Sequence, residues 1–196
     1  MSYTVIGPTT TRTFRVLWML EELGQSYDRL THAPQSDALR QFNPAGKVPV
    51  LLDGDAVLTD STAIMHYLAD KHSGLTYPAG TLDRARQDGF THFILDEMDA
   101  TLWTAARHTF VLPSDKRVPE VKQSLKWEFA RAVDELMRRK GDAPFLMGDK
   151  MTVPDILATH CGSWAIAAGF PLENGDFRAY AKPLRSRPAY LRASAT

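Results

Sequence analysis

The 196-residue sequence holds one cysteine, Cys161. A lone thiol excludes an intrachain disulfide, a CxxC redox pair and a cysteine-based zinc site. No histidine–carboxylate pair has metal-ligand spacing, so no metal is expected. An excess of one charge is lacking too: Lys plus Arg and Asp plus Glu each total 23. Without surplus basic charge to neutralise a phosphate backbone, nucleic acid is not expected as a partner. Residues 1–76 carry 6 basic and 8 acidic side chains and the remainder 17 and 15, an asymmetry too small to specify a partner. No apolar run approaches the ~18 residues that cross a bilayer, so no membrane association is expected. The start, Met1-Ser2-Tyr3-Thr4, has neither a basic leader nor an apolar signal core, and the expected location is cytoplasmic.

Hydrophobic residues make up 44% of the chain, enough for a sizeable core. Tyr3 to Ile6 reads as a strand closed by Gly7-Pro8, and a helix follows from Thr10–Arg12 with Val16, Leu17, Leu20 and Leu23 at helical spacing. Gly24 stands at its C-terminal cap. Ser26 to Thr31 predicts a second strand, and Ser36 caps a short helix that stops at Asn43-Pro44. Val48–Leu52 and Ala56–Thr59 flank Asp53-Gly54-Asp55, a hairpin signal, and Ser61 opens a helix ending near Gly74. The first half is therefore β-α-β-α-β-β-α. Beyond Gly74–Gly80 no strand pair is convincing, and helices are predicted over 84–109, 118–140, 153–168 and 177–191. The expected division is a domain over 1–76, a linker over 77–83 and an all-helical domain over 84–196.

The most informative stretch is NPAGKVPVLLDGDAVLTDSTAI, Asn43 to Ile64. Pro49 sits at the mouth of a strand, where a proline forfeits a ladder donor and is tolerated only at an edge, start or bulge. With Val48-Pro49 cis, the Val48 N–H and C=O face outward and could pair with an extended peptide-like ligand. Asp60-Ser61 lies at a strand-to-helix junction, where Ser61 and first-turn N–H groups suit a carboxylate and Asp60 suits an ammonium. One junction could hold both charges of an α-amino-acid end.

These segments, GKVPVL and DSTAI, resemble the signature of the glutathione transferase family, and the likeness runs over essentially the whole chain. Far downstream FLMGDKMTVPDILATH, Phe145 to His160, resembles the capping box with which the family sets its central C-terminal helix, with Thr152 and Asp155 as the box. The resemblance implies a thioredoxin-like first domain and an α-helical bundle as the second. Val48 would bond the cysteinyl backbone of glutathione beside cis-Pro49, Asp60 and Ser61 would hold the γ-glutamyl end, and Lys47 would reach the glycyl carboxylate. It further implies a homodimer that conjugates reduced glutathione, as substrate rather than cofactor, to a hydrophobic electrophile.

That reaction needs a thiolate, and a thiol with a pKa near ~8.5 needs help to ionise at neutral pH. By the resemblance Thr10 falls where serine-type classes carry their hydroxyl; Thr11 is one residue later, Arg12 adds positive field, and Tyr3 is the reserve. The threonines also suit a plain N-cap and turn. Trp103, Arg107 and His108 lie near one helical face and are candidates for an electrophile pocket. Cys161 and His160, in an apolar helical segment, read as core. Two other readings stay open: a non-enzymatic binding or regulatory module that keeps the fold, and glutathione-dependent disulfide or peroxide reduction.

Overall fold

A computed structural model describes residues 2–195. The strands are β1 (Tyr3–Ile6), β2 (Tyr27–Leu30), β3 (Val50–Asp53) and β4 (Ala56–Thr59), in sheet order β2-β1-β3-β4. β1 and β2 are parallel, joined by the crossover helix α1 (Thr13–Glu22), whereas β3 runs antiparallel to β1 and forms a hairpin with β4. Gly54 and Asp55 make the two-residue turn, with positive φ at Gly54 where a side chain is disfavoured. The short α2 (Asp37–Arg40) is capped by Ser36, and α3 (Ser61–Lys71) follows β4 directly. The order is the expected β-α-β-α-β-β-α.

Register decides which loops meet. Ile6 pairs with Val50 and Val50 with Thr59, so three points share one end of the sheet: the exit of β1, the entry of β3 and the exit of β4. The turn into α1, the segment ending at Pro49 and the junction at Asp60-Ser61 follow or precede those residues directly. The opposite end carries Tyr3 and the C-terminal end of α3, where the Tyr3 hydroxyl and His72 Nε2 lie 2.8 Å apart.

Residues 13–20 of α1 are all buried, so this helix is covered on every side rather than amphipathic. Val16, Leu17 and Leu20, like Val5, Ile6, Val50, Ile64 and Leu68, are fully buried, and α1 packs against β1 and α3.

Helices make up the rest: α4 (Leu82–Phe93), α5 (Ala100–Ala106), α6 (Val121–Lys140), α7 (Val153–Ala167), α8 (Gly175–Arg185) and α9 (Pro188–Ala195). The helix predicted over 84–109 contains two π-helical segments, Ile94–Asp99 and Arg107–Val111, on either side of α5. The helix predicted over 177–191 is two helices, because Pro188 supplies no N–H to continue the first. The chain divides into compact units between Pro78 and Ala79, and the segment from Arg185 onward belongs to the first unit. The sequence places that segment in the helical domain. What moves it is specific packing on α1: Tyr190 sits edge-on to Phe14 and Trp18, at centroid distances of 5.0 and 4.9 Å. Arg187 forks onto both Glu22 oxygens at 2.6 and 2.8 Å, and Arg192 bonds Glu21 at 2.6 Å.

The second unit is organised around the start of α7. Asp155, fully buried, accepts from the Leu146 N–H (2.9 Å), the Thr152 N–H (2.8 Å), the Thr152 hydroxyl (3.1 Å) and the Tyr180 hydroxyl (2.7 Å). The capping box is reciprocal, and Pro154 fits because first-turn N–H groups have no intrahelical acceptor. Gly162 lets α8 approach: a Cβ there would lie 2.5 Å from Phe177. Cys161 is buried in the same helix.

Candidate functional site

The Val48-Pro49 peptide bond is cis. Pro49 is buried and Val48 packs against Ile6, Leu39 and Val50, which fixes the main chain at the entry to β3. Among the described residues, neither the Val48 N–H nor its C=O has a hydrogen-bond partner. A half-buried peptide group with both functions open suits a peptide-like ligand running alongside, as in strand addition. The loop before it is held in shape. The Asn43 side chain donates to the Lys47 carbonyl at 2.9 Å, the Gln35 amide donates to the carbonyls of Ala45 and Gly46, and Arg40 bonds both Gln35 and the Pro44 carbonyl. The Lys47 side chain is exposed at the end of this braced segment.

Gly7 sits against Val48. Its φ is +134°, and a Cβ there would lie 2.3 Å from Thr13 Oγ1 and 2.9 Å from Val48 Cβ. Only glycine allows the exit of β1, the first residue of α1 and the cis-proline segment to close together. The sequence marks Gly7-Pro8 as a turn, but the close approach is visible only in three dimensions.

Between Gly7 and α1 the threonines separate into two roles. The Thr11 hydroxyl lies 2.8 Å from the Pro8 carbonyl and 2.9 Å from Thr13 Oγ1, and it accepts from the Thr13 N–H at 3.2 Å. Its single proton is committed to the turn. Thr10 is exposed, and its hydroxyl bonds no described residue. Arg12 is half-buried on the following turn. Tyr3 is not brought to this place: its hydroxyl is at the far end of the sheet with His72.

Asp60 is the N-cap of α3, and its Oδ1 accepts from the Thr62 and Ala63 N–H groups at 2.9 and 3.0 Å. The backbone there has φ +69° and ψ 122°, a sparsely populated conformation for a residue with a side chain, of the kind that clusters at ligand clamps. Because Asp60 takes two first-turn donors, the carboxylate site anticipated from the sequence narrows to the Ser61 N–H and hydroxyl. The Asp60 carboxylate remains exposed. Ser61 is buried, and Arg15 Nη1 approaches its Oγ to 3.5 Å from a fully buried position on α1. Arg15 is the residue sequence reasoning missed. Its neighbours on α1 mark an apolar stripe, and spacing cannot tell that the helix is buried all round.

Trp103, Arg107 and His108 belong to the second unit. Trp103 is half-buried on α5. Arg107 opens the second π-helical segment, bonding Thr104 at 2.9 Å while its buried Nε lacks a partner among the described residues. His108 Nδ1 accepts the Val118 N–H at 3.0 Å. Trp103 therefore lies on α5, and Arg107 and His108 are consecutive in the π-helical segment that follows it. Among the described residues no group of three potential metal ligands occurs, and no helix is long and apolar enough to cross a membrane.

The family model for the glutathione S-transferase N-terminal domain matches residues 12–76. Human glutathione S-transferase theta-2B is 31% identical over 156 residues, covering 72% of this chain and 60% of that protein. The chain spans about three-fifths of the length of this and another curated relative, putative glutathione S-transferase alpha-2 of Dictyostelium discoideum. In solved structures, a glutathione transferase from Methylococcus capsulatus is similar at TM-score 0.82 and 25% identity, over 97% of this chain and 96% of that one.

Proposed function

The chain belongs to the glutathione S-transferase family, and from that premise we propose that it binds reduced glutathione at the end of the sheet and conjugates it to a hydrophobic electrophile. One observation carries this reading: register gathers the open Val48 peptide group, the Asp60-Ser61 junction and the exposed Thr10 hydroxyl at the same sheet end. Val48 N–H and C=O pair with the cysteinyl residue. The Ser61 N–H and hydroxyl take the γ-glutamyl carboxylate, Asp60 its ammonium, and Lys47 the glycyl carboxylate.

The sulfur is then directed toward the turn before α1. Thr10 donates to it, the positive end of α1 and Arg12 add field, and all three favour thiolate over thiol. The thiolate attacks the electrophilic carbon, a carbon–sulfur bond forms and the leaving group departs with its electron pair. Trp103, Arg107 and His108 are assigned to the acceptor side. The protein functions as a cytoplasmic homodimer, with domains over 1–76 and 84–196 and a linker over 77–83, except that α9 completes the first.

The test is calorimetric titration with glutathione, followed by conjugation of a chloronitroaromatic and reduction of a small mixed disulfide. Binding with aromatic conjugation supports the reading. Binding without turnover assigns a non-enzymatic module, disulfide reduction alone assigns a reductase, and absence of binding at millimolar glutathione removes both enzymatic readings.

A further inference from the structure

Arg84, Arg86, Arg138 and Arg139 of the second unit all have carboxylate partners. Arg107, half-buried in the same unit, pairs with no carboxylate among the described residues. Its one bond there is from Nη2 to Thr104 Oγ1, while Nε is buried and unpaired. A charged group left this way in a folded chain calls for an explanation, because partly desolvated charge is ordinarily paired. The backbone fixes where the charge sits. Arg107 closes α5 with φ −56° and ψ −49°, and its N–H still reaches the Trp103 carbonyl. Positions three and four residues back therefore share its face, which puts Trp103 and Thr104 on the same side of the last turn. The ladder then widens into the π-helical segment Arg107–Val111, an irregularity frequent at functional sites. His108 Nδ1 takes the Val118 N–H, so the neutral ring carries its own proton on Nε2 and is a donor too. Residues 100–114 contain no acidic side chain.

We propose that Arg107 selects acceptors that are themselves anionic: flat aromatic electrophiles carrying a carboxylate or sulfonate away from the reacting carbon. This rests on the conjugation reading above and narrows its hydrophobic electrophile to an amphiphilic one. The ring packs on Trp103, and the anion accepts from the terminal guanidinium nitrogens while Thr104 steadies the group. A planar, weakly hydrated guanidinium matches a carboxylate better than an ammonium does, and partial burial limits screening by salt. The cation also answers a specific difficulty. Glutathione reacts as a thiolate, so an anionic acceptor approaches a like charge, and a fixed positive group beside the acceptor offsets that repulsion. The acceptor's anion takes no part in bond making. With an aryl chloride, sulfur bonds the ring carbon, chloride leaves with the carbon–chlorine electron pair, and the thiol proton goes to solvent. The selectivity therefore resides in acceptor KM rather than in kcat.

The test compares 4-chloro-3,5-dinitrobenzoate with its neutral isostere 4-chloro-3,5-dinitrobenzamide, using the ratio of their kcat/KM values so that intrinsic reactivity cancels between variants. Arg107→Gln is expected to lower the benzoate-to-benzamide ratio roughly tenfold, as loss of one charge-assisted hydrogen bond does, through the KM for the benzoate. Arg107→Lys keeps the charge and should retain part of the preference, and Arg107→Glu should lower the ratio further than glutamine. A measurement on the wild-type protein serves where the variants fail to fold: by calorimetry the glutathione conjugate of the benzoate should bind roughly tenfold tighter than that of the benzamide. Equal loss on both acceptors, a ratio unmoved by Arg107→Gln, or equal wild-type affinity for the two conjugates overturns the assignment and leaves the conjugation reading standing. Turnover of neither acceptor by the wild-type protein overturns the conjugation reading, and this inference with it.

Discussion

Thr10 and Thr11 are adjacent and chemically identical, yet their surroundings predict opposite consequences of removing each hydroxyl. Thr11 is a capping residue in substance: its oxygen accepts from the Thr13 N–H and its proton is committed to the Pro8 carbonyl or to Thr13 Oγ1. Thr11→Ala should cost about 1 kcal/mol, the usual loss for a helix cap, and lower Tm by roughly 2–4 °C for a chain of this size. Thr10 bonds no described residue and is exposed, so Thr10→Ala should leave stability within about 0.5 kcal/mol of wild type. Its effect should be on the bound thiol. A hydrogen bond to an ionised sulfur contributes about 1.5–3 kcal/mol, so its loss raises the thiol pKa by roughly 1–2 units. A more basic thiolate is also more nucleophilic, with a Brønsted coefficient near 0.5. Below the pKa the two effects oppose each other, and conjugation should slow by roughly 3–10-fold; above it only nucleophilicity remains and the variant should be faster by a similar factor. The assay is thiolate absorbance of the bound ligand against pH, with conjugation rates at pH 6 and at a pH above both pKa values. A Thr10→Ala rate ratio that is the same at both, or an unmoved thiol pKa, refutes the reasoning.

Four further perturbations test the framework. Gly7→Ala sets a Cβ 2.3 Å from Thr13 Oγ1 at an unfavourable φ, and should weaken glutathione binding by calorimetry while lowering Tm, with about 1–3 kcal/mol of backbone strain as the minimum cost. Asp155→Ala leaves two main-chain N–H groups and two hydroxyls without their acceptor, and should cost about 3–5 kcal/mol by urea unfolding. Arg187→Ala removes a forked pair from a largely buried Glu22; a double-mutant cycle with Glu22→Gln should give a coupling of about 1–2 kcal/mol. Arg138 and Arg139 hold the Glu135 carboxyl down to about 2 from its ordinary 4.5. Its contribution is therefore complete above pH 4.5 and lost as pH falls toward 2, so acid melts of Glu135→Gln should lack that part of the wild-type decline.

How much of this was legible in the sequence depends on whether a feature is local. The hairpin at Gly54-Asp55, the Ser36 cap, the Gly24 stop and the Thr152–Asp155 box are each set by residues within a few positions, and all are found where spacing places them. Pro49 was readable for the same reason. Features that depend on who meets whom were not readable. Spacing marks one apolar stripe on α1, but α9 returns to cover the helix with Tyr190, Arg187 and Arg192, and no periodicity within residues 10–24 announces a partner some 165 positions away. The same gap hid Arg15 and the true reason for Gly7.

Burial of α1 on all sides bears directly on chemistry. A helix that lends its N-terminal field to a sulfur must hold that end still, because the field falls off within the first turn. Here three constraints converge on α1: the Thr11 turn at its start, Arg15 directed at Ser61, and the aromatic and ionic grip of α9 along Phe14, Trp18 and Glu22. Loosening the grip, as in the double variant Arg187→Ala with Tyr190→Ala, should therefore do more than lower Tm. It should raise the pKa of the bound thiol even though neither residue belongs to the turn that faces sulfur. A pKa unchanged in a measurably destabilised variant would show that the contacts at the start of α1 and at Arg15 suffice to orient the helix end, and that α9 contributes to stability without a part in setting the thiol.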